Sequence, residues 1–320
     1  MASIDVRRTP IRIVHDPRWV IAKPYLPGEE LVAGKVTRSG LLMDRILAIP
    51  EERVRPVLES VLVDFSHRHA AFESMLEANF ELVAMYIRPD VVFLSRDRRL
   101  LIGAYFTHEY FIEGTALFNP SIVLSPDQEG VAGDSHRVIM SLRAVGEGHI
   151  SSIEFRTTVL GGDSNMVLDP IGRRVVSGKR SLLRRYDKHQ FKMKLGELGA
   201  GNSLAWIEVD RLPARFVLTD LEYSLAELDA ETRSQAMCYE TTRIIRLLAA
   251  SSYTTMFPED SLLSGRVLFP ASPVETLGME DARIVRFVDD DGSVNFFATY
   301  TAYDGFQIFP QLIETTDFRN

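Results

Sequence analysis

The clearest periodicity lies between Thr37 and Tyr86, where apolar residues recur at three- and four-residue spacing. Val54, Val57, Leu58, Val61, Leu62 and Phe65 form one stripe; Phe72, Leu76, Phe80 and Val83 continue it. That spacing places each set on one face of an α-helix, so two amphipathic helices are expected. Pro50 sits near a helix start, where a missing N–H costs little, and Pro56 falls within the first turns. Asp97 to about Tyr105 is expected as a further short helix. Upstream, Pro10, Pro17, Pro24 and Pro27 punctuate an extended start, with Ile11 and Ile13 flanking Arg12 as a short strand.

Beyond Phe118 the period changes. Arg137 to Val145 alternates, Gly146-Glu147-Gly148 turns the chain, His149 to Leu160 is the next strand, and Gly161-Gly162-Asp163 turns it again. Short strands between Gly and Asp turns predict an antiparallel sandwich, barrel or propeller. Residues 204–209, 214–219 and 266–269 also read as strands. Asp229 to Ser251 reads as one helix, capped by Asp229 and striped by Met237, Thr241, Ile244, Ile245 and Leu248. The expected fold is mainly β with an α-helical N-terminal region. Residues 1–95 form the helical part and 96–320 the β part, with a helix-containing insertion near 173–262.

The second half of the chemistry lies in Gly278 to Gly305. Ile284, Arg286 and Val288 share one face of a first strand, Val285 and Phe287 the other. Asp289-Asp290-Asp291-Gly292 suits a hairpin turn, because Asp and Gly tolerate positive φ. Asn295 to Thr301 is the return strand, Tyr303-Asp304-Gly305 a second turn, and Phe306 to Leu312 one more strand. Glu280 and Asp281 open the hairpin. Strict alternation sends such neighbours to opposite faces, so one acid is expected in any cleft rather than a pair. A turn carboxylate that bonds nearby backbone N–H groups would present the same two residues.

Composition narrows the partners. A net charge of −8 without a dominant basic patch argues against nucleic acid. The basic run from Arg173 to Lys194 is dispersed, as on a solvated surface rather than an anion site. One cysteine, Cys238, excludes an internal disulfide framework; it fits a reducing compartment, hence a cytoplasmic location, and a buried structural thiol. No apolar run reaches the ~18 residues a membrane helix needs. His67 and His69 lack further ligands, so they read as a solvated connector and no metal is expected.

GMEDARIV followed by ATYTAYDG resembles the paired signature of the family 130 glycoside phosphorylases and hydrolases, with Ala282 where that signature usually has proline. The resemblance covers most of 118–160 and 264–320. It implies a five-bladed β-propeller, incomplete here at about two blades, with a helical insertion. It implies that Asp281 is the catalytic acid. Asn119, of Asn119-Pro120, and Arg143 would contact the sugar at the scissile end, with Tyr303 and Asp304 near the site. The activity implied is inverting phosphorolysis of β-mannosidic bonds, releasing α-mannose 1-phosphate. The close rivals are an inverting β-mannosidase-type hydrolase and a non-catalytic carbohydrate-binding propeller. Inorganic phosphate is the implied co-substrate, and no cofactor is expected. The partner is a β-linked mannose-containing oligosaccharide, with homo-oligomerisation open. The family's phosphate ligands follow the Tyr-Asp-Gly motif, so the chain reads as the N-terminal part of a longer enzyme. Alone, it is expected to be inactive and to associate.

Overall fold

The helical stripe folds where its spacing places it. The computed structural model describes residues 8–28, 31–32, 36–88, 91, 93–162, 165–181, 185–201, 203–231 and 236–320. The protein is mixed α and β, in two units: Met1–Leu117 with Ala144–Gly148 and Ile171–Val176, and Phe118–Arg143 with His149–Pro170 and Ser177–Asn320.

In the first unit, α1 (Arg38–Leu47) starts at Thr37, whose hydroxyl accepts from the Gly40 N–H at 3.0 Å. It is followed by α2 (Glu51–Phe65), α3 (Phe72–Val83) and α4 (Arg96–Tyr105). Val54 and Leu58 meet Phe72, Leu76, Leu100 and Leu101; Met43 and Ile46 meet Phe80, Val83, Ile102 and Phe106. Arg98 is buried and closes the end of α1, donating to the carbonyls of Ile46 at 2.9 Å and Ile49 at 2.6 Å while pairing with Glu51. Helices α3 and α4 touch backbone to backbone: a Cβ at Gly103 would stand 1.9 Å from the Leu76 carbonyl oxygen. Gly103→Ala is therefore expected to lower stability by about 1–3 kcal/mol, the range for overpacking. Urea unfolding checks this, and an unchanged midpoint would show that the helices separate freely.

Two expectations fail in this unit. The early strand is Val20–Pro24, paired antiparallel with Thr107–Phe111, not Ile11–Ile13. Trp19, Val20 and Ile21 are buried and the earlier isoleucines only partly so, which fixes where pairing occurs. His69 is not solvated. It is buried, stacks on Phe72 and shares the Glu109 carboxylate with Arg68, at 2.8 Å and 2.6 Å respectively. His67 is exposed, as expected of a connector.

The second unit is organised on the Ser151–Leu160 strand. It pairs with His136–Val145, Met166–Leu168, Arg266–Leu268 and Gly278–Val288; Ala116–Leu124 extends the sheet beyond His136–Val145. The hairpin is a long antiparallel ladder from Gly278↔Tyr303 to Val288↔Val294, and Ile308–Thr315 lies on its far side. Gly292 takes φ 83° and donates to the Asp289 carbonyl, the turn chemistry the sequence carries. Ile284, Phe296, Ala298, Tyr300 and Ala302 are buried with Ile153 and Phe155.

Four helices lie between the Lys179–Ser181 and Thr254–Met256 strands: α5 (Lys188–Glu197), α6 (Ser203–Arg211), α7 (Leu218–Glu231) and α8 (Ala236–Ala250). Residues 204–209 are thus helical, and strand within 214–219 is limited to Arg215–Phe216. The apparent alternation misled because Ala205 and Val209 also stand at i, i+4, and those two are fully buried against Phe191, Leu195, Leu221 and Ile245. Asp229 lies inside α7, and the helix expected over Asp229 to Ser251 is divided between α7 and α8. The last position of the Gly161–Asp163 turn, and Arg184 of the basic run, lie outside the described residues. Most of the rest of that run is exposed, but Arg180 is half-buried. Its guanidinium lies 4.8 Å from the Tyr253 ring centroid and donates to the carbonyls of Ala250 and Ala271. Among the described residues, no helix is long and apolar enough to cross a membrane.

Candidate functional site

Four strands of the second unit bring polar groups to one place. The Ala116–Leu124 strand supplies Asn119, His136–Val145 supplies Arg143, Gly278–Val288 supplies Asp281, and the fourth, Ser151–Leu160, supplies Ser151. The Asn119 amide donates to Asp281 Oδ1 at 2.6 Å, and Arg143 Nη1 donates to the same oxygen at 3.3 Å. Three residues spread over more than 160 positions thus meet within hydrogen-bond reach.

The backbone is bent at both ends of the Asn119–Asp281 contact. Asn119 has φ 53° and Asp281 φ 55°. Such left-handed conformations are uncommon outside glycine, least so for Asn and Asp, and cluster where a structure over-determines a site. At Asp281 the cause is a β-bulge: Glu280 pairs with Thr301 but Arg283 with Thr299, so one extra residue sits on the first strand. Asn119 is fixed from behind. Arg283 donates to the Pro120 carbonyl at 3.0 Å, and the Ile284 N–H to the Ser121 hydroxyl at 3.0 Å.

The bulge overturns the expectation that Glu280 faces away. Alternation fails across the extra residue, and both carboxylates reach one guanidinium: Arg143 Nη2 donates to Glu280 Oε1 at 2.5 Å. Arg143 Nε donates to the Ser151 hydroxyl at 3.0 Å, and its charge lies 5.0 Å from the centre of the Phe118 ring. Gly278 lets Ser151 approach, since a Cβ there would stand 2.9 Å from the Ser151 Cβ. The Arg143 and Glu280 side chains are mostly buried, whereas Asp281 keeps 39% of its surface exposed. Asp281 is therefore the carboxylate of the two that is open to an incoming molecule.

Tyr303 and Asp304 occupy a turn at the end of the hairpin. The Tyr303 hydroxyl donates to the Gly305 carbonyl at 2.9 Å. Asp304 Oδ1 accepts from the N–H groups of Gln307 at 2.7 Å and Phe306 at 2.8 Å, and those bonds hold its carboxyl below the usual value. These contacts shape the turn, which is how the structure uses the two residues. Sequence reasoning placed Glu280 on the wrong face and missed Ser151 and Phe118. Their signals were weak: a serine after a turn, and an aromatic next to Asn119.

Beneath the hairpin lies a second constellation. Glu275 is fully buried and accepts from the Tyr300 hydroxyl at 2.5 Å, the Tyr253 hydroxyl at 3.0 Å, and the N–H groups of Ala271 at 2.9 Å and Ser272 at 3.0 Å. Burial first, then the Glu275 charge, pushes both phenols well above their usual range, so they remain donors. Among the described residues no cluster of His, Cys, Asp and Glu is arranged to hold a metal ion. No family model, curated protein or solved structure matches the chain.

Proposed function

We propose that the Asn119–Arg143–Asp281 cluster binds the sugar of a β-mannoside and delivers the proton that breaks its glycosidic bond. The observation that carries this is the convergence of those three side chains on Asp281 Oδ1, at 2.6 Å and 3.3 Å. Glycosidic cleavage passes through an oxocarbenium-like state, and the leaving oxygen must gain a proton. With Oδ1 engaged by two donors, Oδ2 is the oxygen of Asp281 placed to carry that proton. In the family resembled, the acid acts through the sugar 3-hydroxyl. Phosphate would attack the anomeric carbon from the opposite face as the carbon–oxygen bond to the leaving sugar breaks. The products are α-mannose 1-phosphate and the protonated leaving sugar. The strands of the second unit, antiparallel but for the parallel pairing of Gly278 with Ser151, are read as blades of a five-bladed propeller.

Glu280 and Asp281 sit on one guanidinium, not across a gap that a sugar could fill. An inverting hydrolase needs its base on the far face of the ring, so this pair alone does not favour hydrolysis. The test is a product assay on the full-length protein with β-1,4-linked mannobiose and related β-mannosides, with and without phosphate. Sugar phosphate formed only when phosphate is present supports the proposal. Free mannose formed without phosphate replaces it with the hydrolase. Sugar binding without either product leaves a carbohydrate-binding module.

A further inference from the structure

The left-handed backbone at Asn119 breaks alternation on its strand, as that at Asp281 does on the hairpin. Phe118 and Asn119, neighbours in sequence, therefore serve one cluster. Asn119 donates to Asp281, and the Phe118 ring lies against the Arg143 guanidinium, 5.0 Å from its centre. That guanidinium is a fixed plate: Nε donates to Ser151, Nη1 to Asp281 and Nη2 to Glu280. A ring resting on such a plate is itself held still, so a molecule that stacks on it meets a pre-organised surface.

Phe118 is not spent on the core. It takes no part in the buried cluster of Ile153, Phe155 and Phe296, and 36% of its surface remains open. Among the described residues, Arg143 is the one ring or cation against it. An open aromatic beside an amide, a carboxylate and a guanidinium suits a molecule with an apolar face and a hydroxylated rim. A pyranose is such a molecule, with axial C–H groups on its faces and hydroxyls at its edge.

We infer that Phe118 is a specificity-determining residue that stacks the leaving sugar, a hexopyranose, of the β-mannoside. This rests on the proposed cleavage, which also decides between the two sugars. Phosphate attacks a β-mannoside from the face that carries the axial hydrogens of C1, C3 and C5, and the axial 2-hydroxyl makes the other face polar. A ring covering the C–H face of the mannose would bar the nucleophile. The departing sugar is the one that Phe118 can stack.

The test is calorimetry on the full-length protein, without phosphate, with two probes. Methyl β-mannoside fills the mannose position alone, and β-1,4-linked mannobiose adds the second ring. Phe118→Leu keeps an apolar side chain but has no flat face. It is expected to weaken mannobiose binding about five- to tenfold, the scale of one aromatic contact, and to leave methyl β-mannoside near wild type. Phe118→Tyr, which keeps the ring, should bind both as wild type does. Equal losses for both probes in Phe118→Leu would mean that the ring only steadies Arg143, and would overturn the inference. So would unchanged mannobiose binding, or a loss in Phe118→Tyr as large as in Phe118→Leu. A wild type that binds neither probe overturns the proposed function and this inference together. Binding without cleavage overturns proton transfer alone, and the two affinities still decide the role of Phe118.

Discussion

Asp281→Asn is expected to lower turnover by a factor on the order of 10² to 10⁴, the range for a positioned proton donor. The amide fills the same space, and its oxygen can still accept from Asn119 and Arg143 at the Oδ1 position. What it cannot do is hand a proton to a leaving oxygen. Sugar affinity, measured by calorimetry, should therefore change far less than kcat. The separation matters because Asp281 is also a structural knot: it bonds residues from two other strands and has left-handed backbone. A substitution that simply loosened the site would weaken binding and turnover together. Asn, like Asp, tolerates positive φ, so the bulge should survive. A variant that turns over at near the wild-type rate would remove Asp281 from the mechanism.

The largest loss of stability is expected from Glu275→Ala, about 4 kcal/mol or more. Its fully buried carboxylate is the acceptor for two phenols and two backbone N–H groups. Each donor left unpaired there costs about 1–3 kcal/mol. The loss would spread beyond the hairpin. Tyr253 lies under Arg180, and Arg180 bonds the carbonyl of Ala250, the last residue of α8. Glu275 thus links the hairpin strand of Tyr300 to the end of the inserted helices. Urea unfolding monitored by tyrosine fluorescence should show the midpoint fall, with Tyr300→Phe, which removes one donor, losing much less. A Glu275→Ala protein within about 1 kcal/mol of wild type would mean that the phenols find other acceptors.

Local periodicity carried the sequence reading where packing and propensity agree. The stripes of α2 and α3, the strand at Arg137 and the Asp-Gly hairpin turn lie where their residues place them, and the strand expected from His149 begins two residues later, at Ser151. It failed where two periods fit the same letters. Ala205 and Val209 satisfy both alternation and a helix turn, and contacts with α5, α7 and α8 decide between them. For the site, the residue types at Asn119, Arg143 and Asp281 were legible through resemblance. Their mutual distances are tertiary facts, given by strand order rather than by spacing. Glu280 was misplaced because a bulge has no dependable signature when its left-handed residue is Asp rather than Gly. His69 was misjudged for a related reason: its partner, Glu109, is forty residues away.

The extra residue between Glu280 and Arg283 makes this site a property of chain length as well as of residue identity. Substitutions at Ala282 leave the count of residues intact, and with it the pairing of Glu280 to Thr301 and Arg283 to Thr299. Removing one codon there would not. The ladder would close into plain alternation, and Asp281 would stand opposite Tyr300, whose side chain points into the core. Every side chain of the site would still be encoded, yet the carboxylates would part to opposite faces. In a collection of related genes, single-residue gaps at this point would therefore mark loss of the site more reliably than changes in any of its letters.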